Sequence, residues 1–464
     1  MPNPLSAHSP GQSNFQEALV SCYCALSLAS LREFELYLDN CLEFLAEDGV
    51  VRSNSVDKAI CAQLKLVMDE LAPQQRRVKA LSPRMLISSL SQKGRWVSSM
   101  GEQDAQELFQ MISSTLQSSR RESDASIFNS GFLTKSEPMK SSVISIPSSD
   151  GKSEGPRTAT PGSQVETSYS GSTATCRMPP FSNPLLGMAA SRIACVKCGY
   201  TAAIRHFTFD NLSLAVPRAS TTTIEACLGM YTVIDRLDDF KCRHCTLTAT
   251  LHKIKQDIAH HQAELANTES ESKRAKRHIA AISRLSDQQD EVAKALATNP
   301  ETNLKGIELV SPPPGVSTKQ TMIARTPKIL VLHLSRSIFT SSGDMIKNPA
   351  RVRLQLLLDI SPFTTTGHIN TNASAPISGP QPLSAASKAE AKRNNCLYRL
   401  SAVVVHAGSH HSGHFYAYRR VAGEDEKMEA PGKWFCISDH TVAAVSLDHV
   451  LASGDAYMLF YERL

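Results

Sequence analysis

The chain has 464 residues, a formal net charge of +5 and an apolar fraction of 41%. That length predicts two or three folding units with a sizeable core, because a domain has about 150 residues. The small, dispersed charge gives no indication of a nucleic-acid partner. The sequence contains no apolar run of about 18 residues, the minimum for a membrane-spanning helix, so we expect no membrane span in this chain.

The start of the chain lacks the basic residues and the apolar stretch of a signal peptide. We therefore expect a cytoplasmic location and interpret the 12 cysteines as thiols and metal ligands rather than as disulfides. Under that interpretation, closely spaced cysteine pairs are candidate metal sites.

The N-terminal part of the chain, from 14 to 117, has a helical pattern. Asp104 can cap a helix whose apolar residues recur near one face, namely Ala105, Leu108, Phe109, Ile112 and Leu116. From about 118 to 178, Ser, Thr, Pro and Gly predominate, and we predict that this insert is disordered.

Two Cys-x-x-Cys pairs give the strongest local signal. They are Cys195 with Cys198 and Cys242 with Cys245, separated by a long spacer. Each pair offers two thiolates on a tight turn, and four thiolates complete a tetrahedral zinc site of the structural type. A chance pair of motifs or a redox motif is the alternative, and the duplication argues against both.

Between 246 and 297 the pattern is helical again. Two apolar seams predict a helical hairpin, with a single solvated helix as the alternative: Leu247, Leu251, Ile254, Ile258 and Leu265, then Ile279, Ile282, Leu285, Val292 and Leu296. The near-continuous apolar run from Ile329 to Leu334 predicts a buried strand. Residues 366–394 are low-complexity, and the chain returns to a strand pattern from Leu397 to Leu464.

One histidine near the C-terminus has the setting of a catalytic group. Gly413-His414 leads into a strand of alternating aromatic and small residues, which places an imidazole at the start of the strand with backbone room beside it. A second strand, starting at Trp434, ends in Ser438-Asp439, whose hydroxyl and carboxylate can orient that imidazole. An oriented histidine is part of a nucleophilic triad, although a His-rich surface hairpin would give the same pattern.

In their order along the chain, these segments resemble the ubiquitin-specific protease family. The matching segments are Glu102-Gln103-Asp104-Ala105-Gln106-Glu107-Leu108-Phe109, the two Cys-x-x-Cys pairs, Pro327 to Arg336, Lys347-Asn348, Gly413 to Tyr418, and Trp434 to Asp439. The resemblance implies an α+β fold: a papain-like cysteine protease core with thumb, palm and zinc-tied fingers, interrupted by inserts. It also implies hydrolysis of the isopeptide or peptide bond after the last glycine of ubiquitin.

The resemblance gives the expected organisation. The units are a helical thumb lobe (1–117), a disordered insert (118–178), the first part of the fingers (179–245), a helical hairpin insert with a loop (246–320), palm strands (321–365), a low-complexity insert (366–394) and palm strands with the histidine segment (395–464). It implies that His414 is the catalytic base. Ser438, followed by Asp439, resembles the Cys-His-Ser arrangement of the mitochondrial outer-membrane branch and its fungal relatives. Membership of that branch would place the protein on the mitochondrial outer membrane, facing the cytosol, if an anchor precedes this sequence.

The nucleophile segment of the family is degenerate in this chain. The family pattern Gly-Asn-Thr/Ser-Cys-Tyr/Phe matches Gly11 to Phe15 without a gap, and Asn14 then stands at the cysteine position. A gapped match uses Cys22, the nearest thiol, which we assign as the nucleophile. A thiolate is favoured at a helix N-terminus, whereas Cys22 would lie about two turns inside the helix that starts at Asn14. The alternative interpretation of Cys22 and Cys24 is that they are small core residues.

Three functions from different classes follow. The first is a cysteine hydrolase acting on ubiquitin conjugates through Cys22, His414 and Ser438 or Asp439. The second is a ubiquitin-binding pseudo-protease that has lost its thiol but keeps the fingers and cleft. The third is a zinc-stabilised scaffold whose helical insert binds a partner.

Overall fold

The computed structural model describes the chain in segments: 27–28, 31–46, 55–70, 84–93, 105–116, 183–202, 204–268, 272–312, 314–365, 370–378, 396–410, 413–421, 432–438 and 441–464. Its helices are α1 (Arg32–Ala46), α2 (Ser55–Glu70), α3 (Arg84–Lys93), α4 (105–116), α5 (Ile224–Thr232), α6 (Arg243–Ala266), α7 (Lys273–Thr298) and α8 (Leu447–Leu451). The predicted insert 118–178 and the cap Asp104 lie outside the described residues.

The strands fall into a large sheet, a smaller sheet and two short pairs. They are β1 (Gly187–Cys195), β2 (Arg205–Phe209), β3 (Leu212–Ala215), β4 (Thr221–Thr223), β5 (Asp235–Phe240), β6 (Gly315–Arg325), β7 (Ile329–Ser335), β8 (Ser337–Phe339), β9 (Met345–Lys347), β10 (Arg351–Arg353), β11 (Leu357–Asp359), β12 (Leu397–Gly408), β13 (Gly413–Val421), β14 (Lys433–Ser438), β15 (Thr441–Val445) and β16 (Ala456–Arg463). The predicted α+β class is therefore confirmed.

The four N-terminal helices bury one apolar face each. In α1 the buried positions Phe34, Tyr37 and Leu38 follow the helical spacing of three and four residues. In α4, Phe109 is fully buried and its ring meets that of Phe460 on β16 edge-on, with centroids 6.0 Å apart. The helices therefore share one core with a face of the large sheet.

The large sheet has the order β15-β14-β13-β12-β16-β7-β3, with β11 also paired to β12. It is covered on both faces, which explains the continuous apolar run of β7. Ile329 and Val331 face the N-terminal helices, whereas Leu330, Leu332 and Leu334 face the core that contains α5. We expected β7 to lie beside the strand that carries His414. It lies in the same sheet, but β12 and β16 separate it from β13.

The smaller sheet, of order β2-β1-β6-β5, carries the cysteine pairs and the helical insert. After β5, helices α6 and α7 pack on each other through a core that includes Leu247, Ile254, Leu285 and Val292. The chain then returns to the sheet as β6. Ile279, which we placed in the apolar seam, is 53% exposed instead.

A short segment of the low-complexity insert packs on the same sheet. Within 370–378, Ile377 is fully buried and its backbone N–H donates to the Gln320 side chain on β6. Arg192 on β1 is also fully buried and donates to the backbone carbonyls of Asn370 and Ala375. Composition alone did not reveal these contacts, because the hydrogen bonds use the backbone of the segment and, within 370–378, the one large apolar side chain that is buried is a single isoleucine.

Candidate functional site

His414 lies at the start of β13, directly after the loop that joins it to β12. In the β12–β13 pair, Ala407 lies opposite His414 and Gly408 lies opposite Gly413. A Cβ atom on Gly413 would stand 2.3 Å from His406 Nε2 and 2.5 Å from the Ala407 carbonyl oxygen. Only glycine at position 413 therefore allows β12 and β13 to approach so closely next to His414.

The His414 ring contacts the residue at the end of the next strand. Its Nε2 atom lies 2.8 Å from Ser438 Oγ, a hydrogen-bond distance. Ser438 ends β14 and pairs with Thr441 on β15, and the Thr441 hydroxyl donates to the Ser438 carbonyl over 2.7 Å. This tight hairpin fixes the serine backbone. Asp439, which we assigned beside it, lies outside the described residues.

A serine hydroxyl can orient an imidazole without carrying charge. When Oγ accepts a hydrogen bond from Nε2–H, the neutral ring has its lone pair on Nδ1. Nδ1 is then the nitrogen suited to remove a proton from a thiol. The uncharged Ser438 stabilises the imidazolium less than a carboxylate would, because it offers a dipole and no opposite charge.

Lys347 holds the strand end that precedes the histidine loop. Its ammonium group donates to the carbonyl oxygens of His406 at 2.7 Å and Gly408 at 3.0 Å. Burial lowers the pKa of this lysine, and the nearby Asp455 carboxylate partly offsets that effect. The lysine thus connects β9 to the end of β12, the strand that precedes the histidine loop.

Arg336 and Asn348 tie the surrounding loops together from inside. The guanidinium of Arg336 is buried and donates to four backbone carbonyls, those of Asn348, Ala350, Gly454 and Ala456. The Asn348 amide donates to the Val216 carbonyl over 2.9 Å. Both residues belong to segments that we recognised by resemblance, and their role here is to satisfy backbone groups that would otherwise be buried unpaired.

The predicted nucleophile is not among these contacts. Cys22 and Asn14, the two residues that compete for the nucleophile position, both lie outside the described residues, as does Cys24. The geometry therefore covers the histidine and its orienting serine, and the thiol remains a prediction.

The four predicted metal ligands come together. Their sulfur atoms all lie within 4.8 Å of one another, with 3.9 Å between Cys195 and Cys245 and 3.6 Å between Cys198 and Cys242. Four sulfurs at about 2.3 Å from a tetrahedral zinc ion are roughly 3.8 Å apart, so the cluster has the donor set and the spacing of a structural zinc site. The prediction of this cluster is confirmed.

The turns around the cluster explain how it forms. After Cys195 the chain reverses through Gly199, whose φ of 72° favours glycine, and the Gly199 N–H donates to the Cys195 carbonyl. Cys242 stands at the start of α6, which brings Cys245 one turn further along the same helix. Next to the cluster, the Tyr200 ring stacks on His244, with centroids 5.5 Å apart.

The ionisation of the thiols differs across the cluster. Burial raises the pKa of Cys242 to about 11, and it also raises the pKa of Cys245. Burial opposes the thiolate at Cys195 as well, but hydrogen bonds from the Cys198 backbone and side chain outweigh it and lower that pKa to about 7. A bound cation would favour all four thiolates over the thiols.

Three comparisons with known proteins bear on this site. A family model described as ubiquitin carboxyl-terminal hydrolase matches residues 11–461. Ubiquitin carboxyl-terminal hydrolase 16 of Emericella nidulans is 27% identical over 376 residues, covering 78% of this chain and 50% of that protein. Ubiquitin carboxyl-terminal hydrolase 30 of Homo sapiens is 25% identical over 423 residues, covering 80% of this chain and 68% of that protein.

A solved structure shares the fold. The SAGA deubiquitinating module that contains Ubp8, solved with ubiquitin aldehyde, aligns with a TM-score of 0.52 at 15% identity, over 95% of this chain and 66% of that one. The predicted thumb, palm and fingers architecture is therefore confirmed at the level of the fold. The chain spans about half the length of the Emericella relative. Among the described residues, no helix is long and apolar enough to cross a membrane.

Proposed function

Because this chain belongs to the ubiquitin carboxyl-terminal hydrolase family, we propose that it is a deubiquitinase. It hydrolyses the isopeptide or peptide bond after the C-terminal glycine of ubiquitin, with a cysteine as nucleophile. The observation that supports this proposal is the contact of 2.8 Å between His414 Nε2 and Ser438 Oγ. With Ser438 on Nε2, Nδ1 is the nitrogen that would act as the base toward the thiol, as a nucleophilic mechanism requires.

The proposed mechanism has two steps. In the first, Nδ1 of His414 takes the proton of the Cys22 thiol, and the thiolate attacks the carbonyl carbon of the last glycine. The imidazolium then returns a proton to the leaving amine, and a thioester between ubiquitin and Cys22 remains. In the second, His414 removes a proton from water, and the hydroxide attacks the thioester carbonyl. The C–S bond breaks, the imidazolium returns its proton to the Cys22 thiolate, and ubiquitin leaves as a carboxylic acid that ionises to the carboxylate. Ser438 orients the ring throughout, and Asp439, the next residue in the sequence, is the alternative orienting group.

The zinc has a structural role in this proposal. The four cysteines join β1 to the start of α6, so a bound ion would connect the two halves of the smaller sheet. Four sulfur ligands leave no coordination position open for water. This is the arrangement of structural rather than catalytic zinc. The ion would hold the surface that binds ubiquitin without entering the reaction.

A catalytically inactive ubiquitin-binding protein is the second candidate. It is favoured by one feature of the sequence, Asn14 at the position where the family has its cysteine. An amide cannot form a thioester, but the fingers and the cleft for the ubiquitin tail do not need the thiol. The two candidates therefore differ only in covalent chemistry.

A ubiquitin probe with a thiol-reactive C-terminus separates the two candidates. The active enzyme forms an adduct with the probe, and peptide mapping places it on Cys22. A Cys22→Ala variant should lose the adduct, whereas Cys24→Ala, a change of the same kind two residues away, should keep it. Failure of the unmodified protein to react, combined with ubiquitin binding by calorimetry, would support the inactive candidate. In that case Asn14→Cys should create labelling.

The cellular location remains a prediction. We propose a cytoplasmic protein, with attachment to the mitochondrial outer membrane as the alternative suggested by the resemblance of Ser438-Asp439 to that branch. Fractionation of cells that express the full gene product distinguishes the two locations.

A further inference from the structure

The helical insert holds a pair of histidines that the proposed reaction does not use. His261 lies near the end of α6 and His278 lies near the beginning of α7, so the two face each other across the hairpin close to its turn. Their Nδ1 atoms are 3.0 Å apart, and their ring centroids are 5.2 Å apart. Both side chains are partly buried, although the helices around them are mostly exposed.

The distance between the two nitrogens suits a shared metal ion. Two nitrogens that each lie about 2.05 Å from one ion are about 2.9 Å apart at a right angle and about 3.3 Å apart at the tetrahedral angle. The observed 3.0 Å falls between these values. In the hydrogen bond between the rings, one Nδ1 carries a proton that the other accepts. When that proton moves to Nε2 of its own ring, both Nδ1 lone pairs can point at one cation.

A carboxylate lies one turn along the same helix. Glu264 is three residues after His261, a spacing that places two side chains on the same face of a helix. Its Oε2 atom accepts a hydrogen bond of 2.7 Å from Arg274, which lies one turn before His278 on α7. Rotation of this partly exposed carboxylate would add an oxygen ligand, and water would complete the coordination.

We infer that His261 and His278, assisted by Glu264, form a second metal site, which binds a divalent first-row transition ion such as Zn²⁺ or Ni²⁺. Imidazole nitrogens are preferred ligands of these ions, whereas Mg²⁺ and Ca²⁺ select oxygen. The site is distinct from the cysteine cluster. His261 is about 24 Å further along α6 than Cys245, at about 1.5 Å per residue. A bound ion would cross-link the two helices near the turn that joins them.

The test uses the full chain loaded with one equivalent of zinc in the cysteine cluster. Calorimetric titration with Ni²⁺ should reveal one further binding event, and His261→Ala and His278→Ala should each weaken it more than about tenfold. Changes in outer-sphere partners alone already cost about 10- to 100-fold in affinity, and loss of a direct ligand should cost at least as much. Glu264→Gln should have a smaller effect than either histidine change. His252→Ala is the matched control, because His252 is exposed on the same helix and should leave the titration unchanged.

X-ray absorption at the nickel edge identifies the ligands independently of affinity. Scattering from imidazole without sulfur supports the site, and nickel–sulfur scattering would show that the ion had entered the cysteine cluster instead. The inference is overturned if no second ion binds. It is also overturned if His261→Ala and His278→Ala both keep the helix content of the unmodified chain and bind Ni²⁺ with the same affinity.

Discussion

The two nitrogens of the His414 ring have different tasks. Nε2 lies 2.8 Å from the Ser438 hydroxyl, so the serine controls the orientation and tautomer of the ring rather than its charge. The same ring stands beside Gly413, where a side chain has no room. Two small residues, one in each strand, thus set the position of the imidazole.

Replacement of Ser438 by alanine removes the orienting hydrogen bond and leaves the strand intact. We expect ubiquitin hydrolysis to slow by about 10²-fold or more through kcat, because a positioned general base contributes roughly 10²- to 10⁴-fold. The KM for a ubiquitin–fluorophore substrate should change little. If Ser438→Ala retained full activity while Asp439→Ala abolished it, Asp439 would be the orienting residue and our assignment to the serine would be wrong.

Replacement of Gly413 by alanine tests the close approach of the strands. The added Cβ would meet His406 Nε2 and the Ala407 carbonyl, so β13 must shift at its start and carry His414 with it. We expect a loss of about 1–3 kcal/mol in the free energy of unfolding, the usual cost of overpacking, together with reduced activity. The control is Gly229→Ala on α5, where nothing lies within 4 Å of the new Cβ and the helix should gain stability. Urea unfolding measures the stability of both variants. If Gly413→Ala were as stable as the control, the close approach of the strands at Gly413 would not require glycine.

Among the secondary-structure elements, the short β8–β9 hairpin acts on the site from a distance. It ends in Lys347, which donates to two carbonyls at the end of β12 and so restrains the loop before His414. The contact runs from a side chain to the backbone. A backbone acceptor leaves no trace in the sequence, which explains why we identified Lys347 by resemblance but could not assign its role.

A Lys347→Met variant should keep the packing of the stem and lose both hydrogen bonds. We expect kcat for ubiquitin hydrolysis to fall by at least about tenfold, since two charge-assisted hydrogen bonds hold the loop and each contributes about 1.5–3 kcal/mol. Lys319→Met is the control, because Lys319 is exposed on β6 in the smaller sheet. Equal activity of the two variants would show that Lys347 does not position His414.

The molecule as a whole combines contacts that the sequence predicts well with contacts that it does not. Each Cys-x-x-Cys pair brings two thiols close together, on a turn for Cys195 and Cys198 and at a helix start for Cys242 and Cys245, so the metal cluster was predictable from spacing and chemistry. The continuous apolar run of β7 predicted burial on both faces. Strand order was not predictable in the same way. Because β16 comes last in the chain yet inserts between β7 and β12, local patterns contain no information about that neighbour.

Zinc should matter to the fingers more than to the rest of the protein. Purified protein should contain at least one zinc ion per chain, and Cys242→Ser should lose the ion of the cysteine cluster, because a four-ligand structural site tolerates the loss of one thiolate poorly. Hydrogen exchange should then accelerate in β1, β5 and β6 more than in β12 and β13. Cys41→Ser, at a cysteine of α1 that is not part of the cluster, should retain the metal. Elemental analysis that finds no zinc in the unmodified protein would contradict the site.

The base of the helical insert has a consequence for how the chain folds. Arg243, in the first turn of α6, donates to the carbonyls of Pro300 and Thr302, so the chain leaves and rejoins the sheet at one place. An insertion whose ends already meet adds only a small loop-closure entropy to the sheet, whatever its length. The hairpin also has an apolar core of its own. It can therefore open and close as a separate cooperative unit, with its own exchange rate, while the palm and its histidine stay folded.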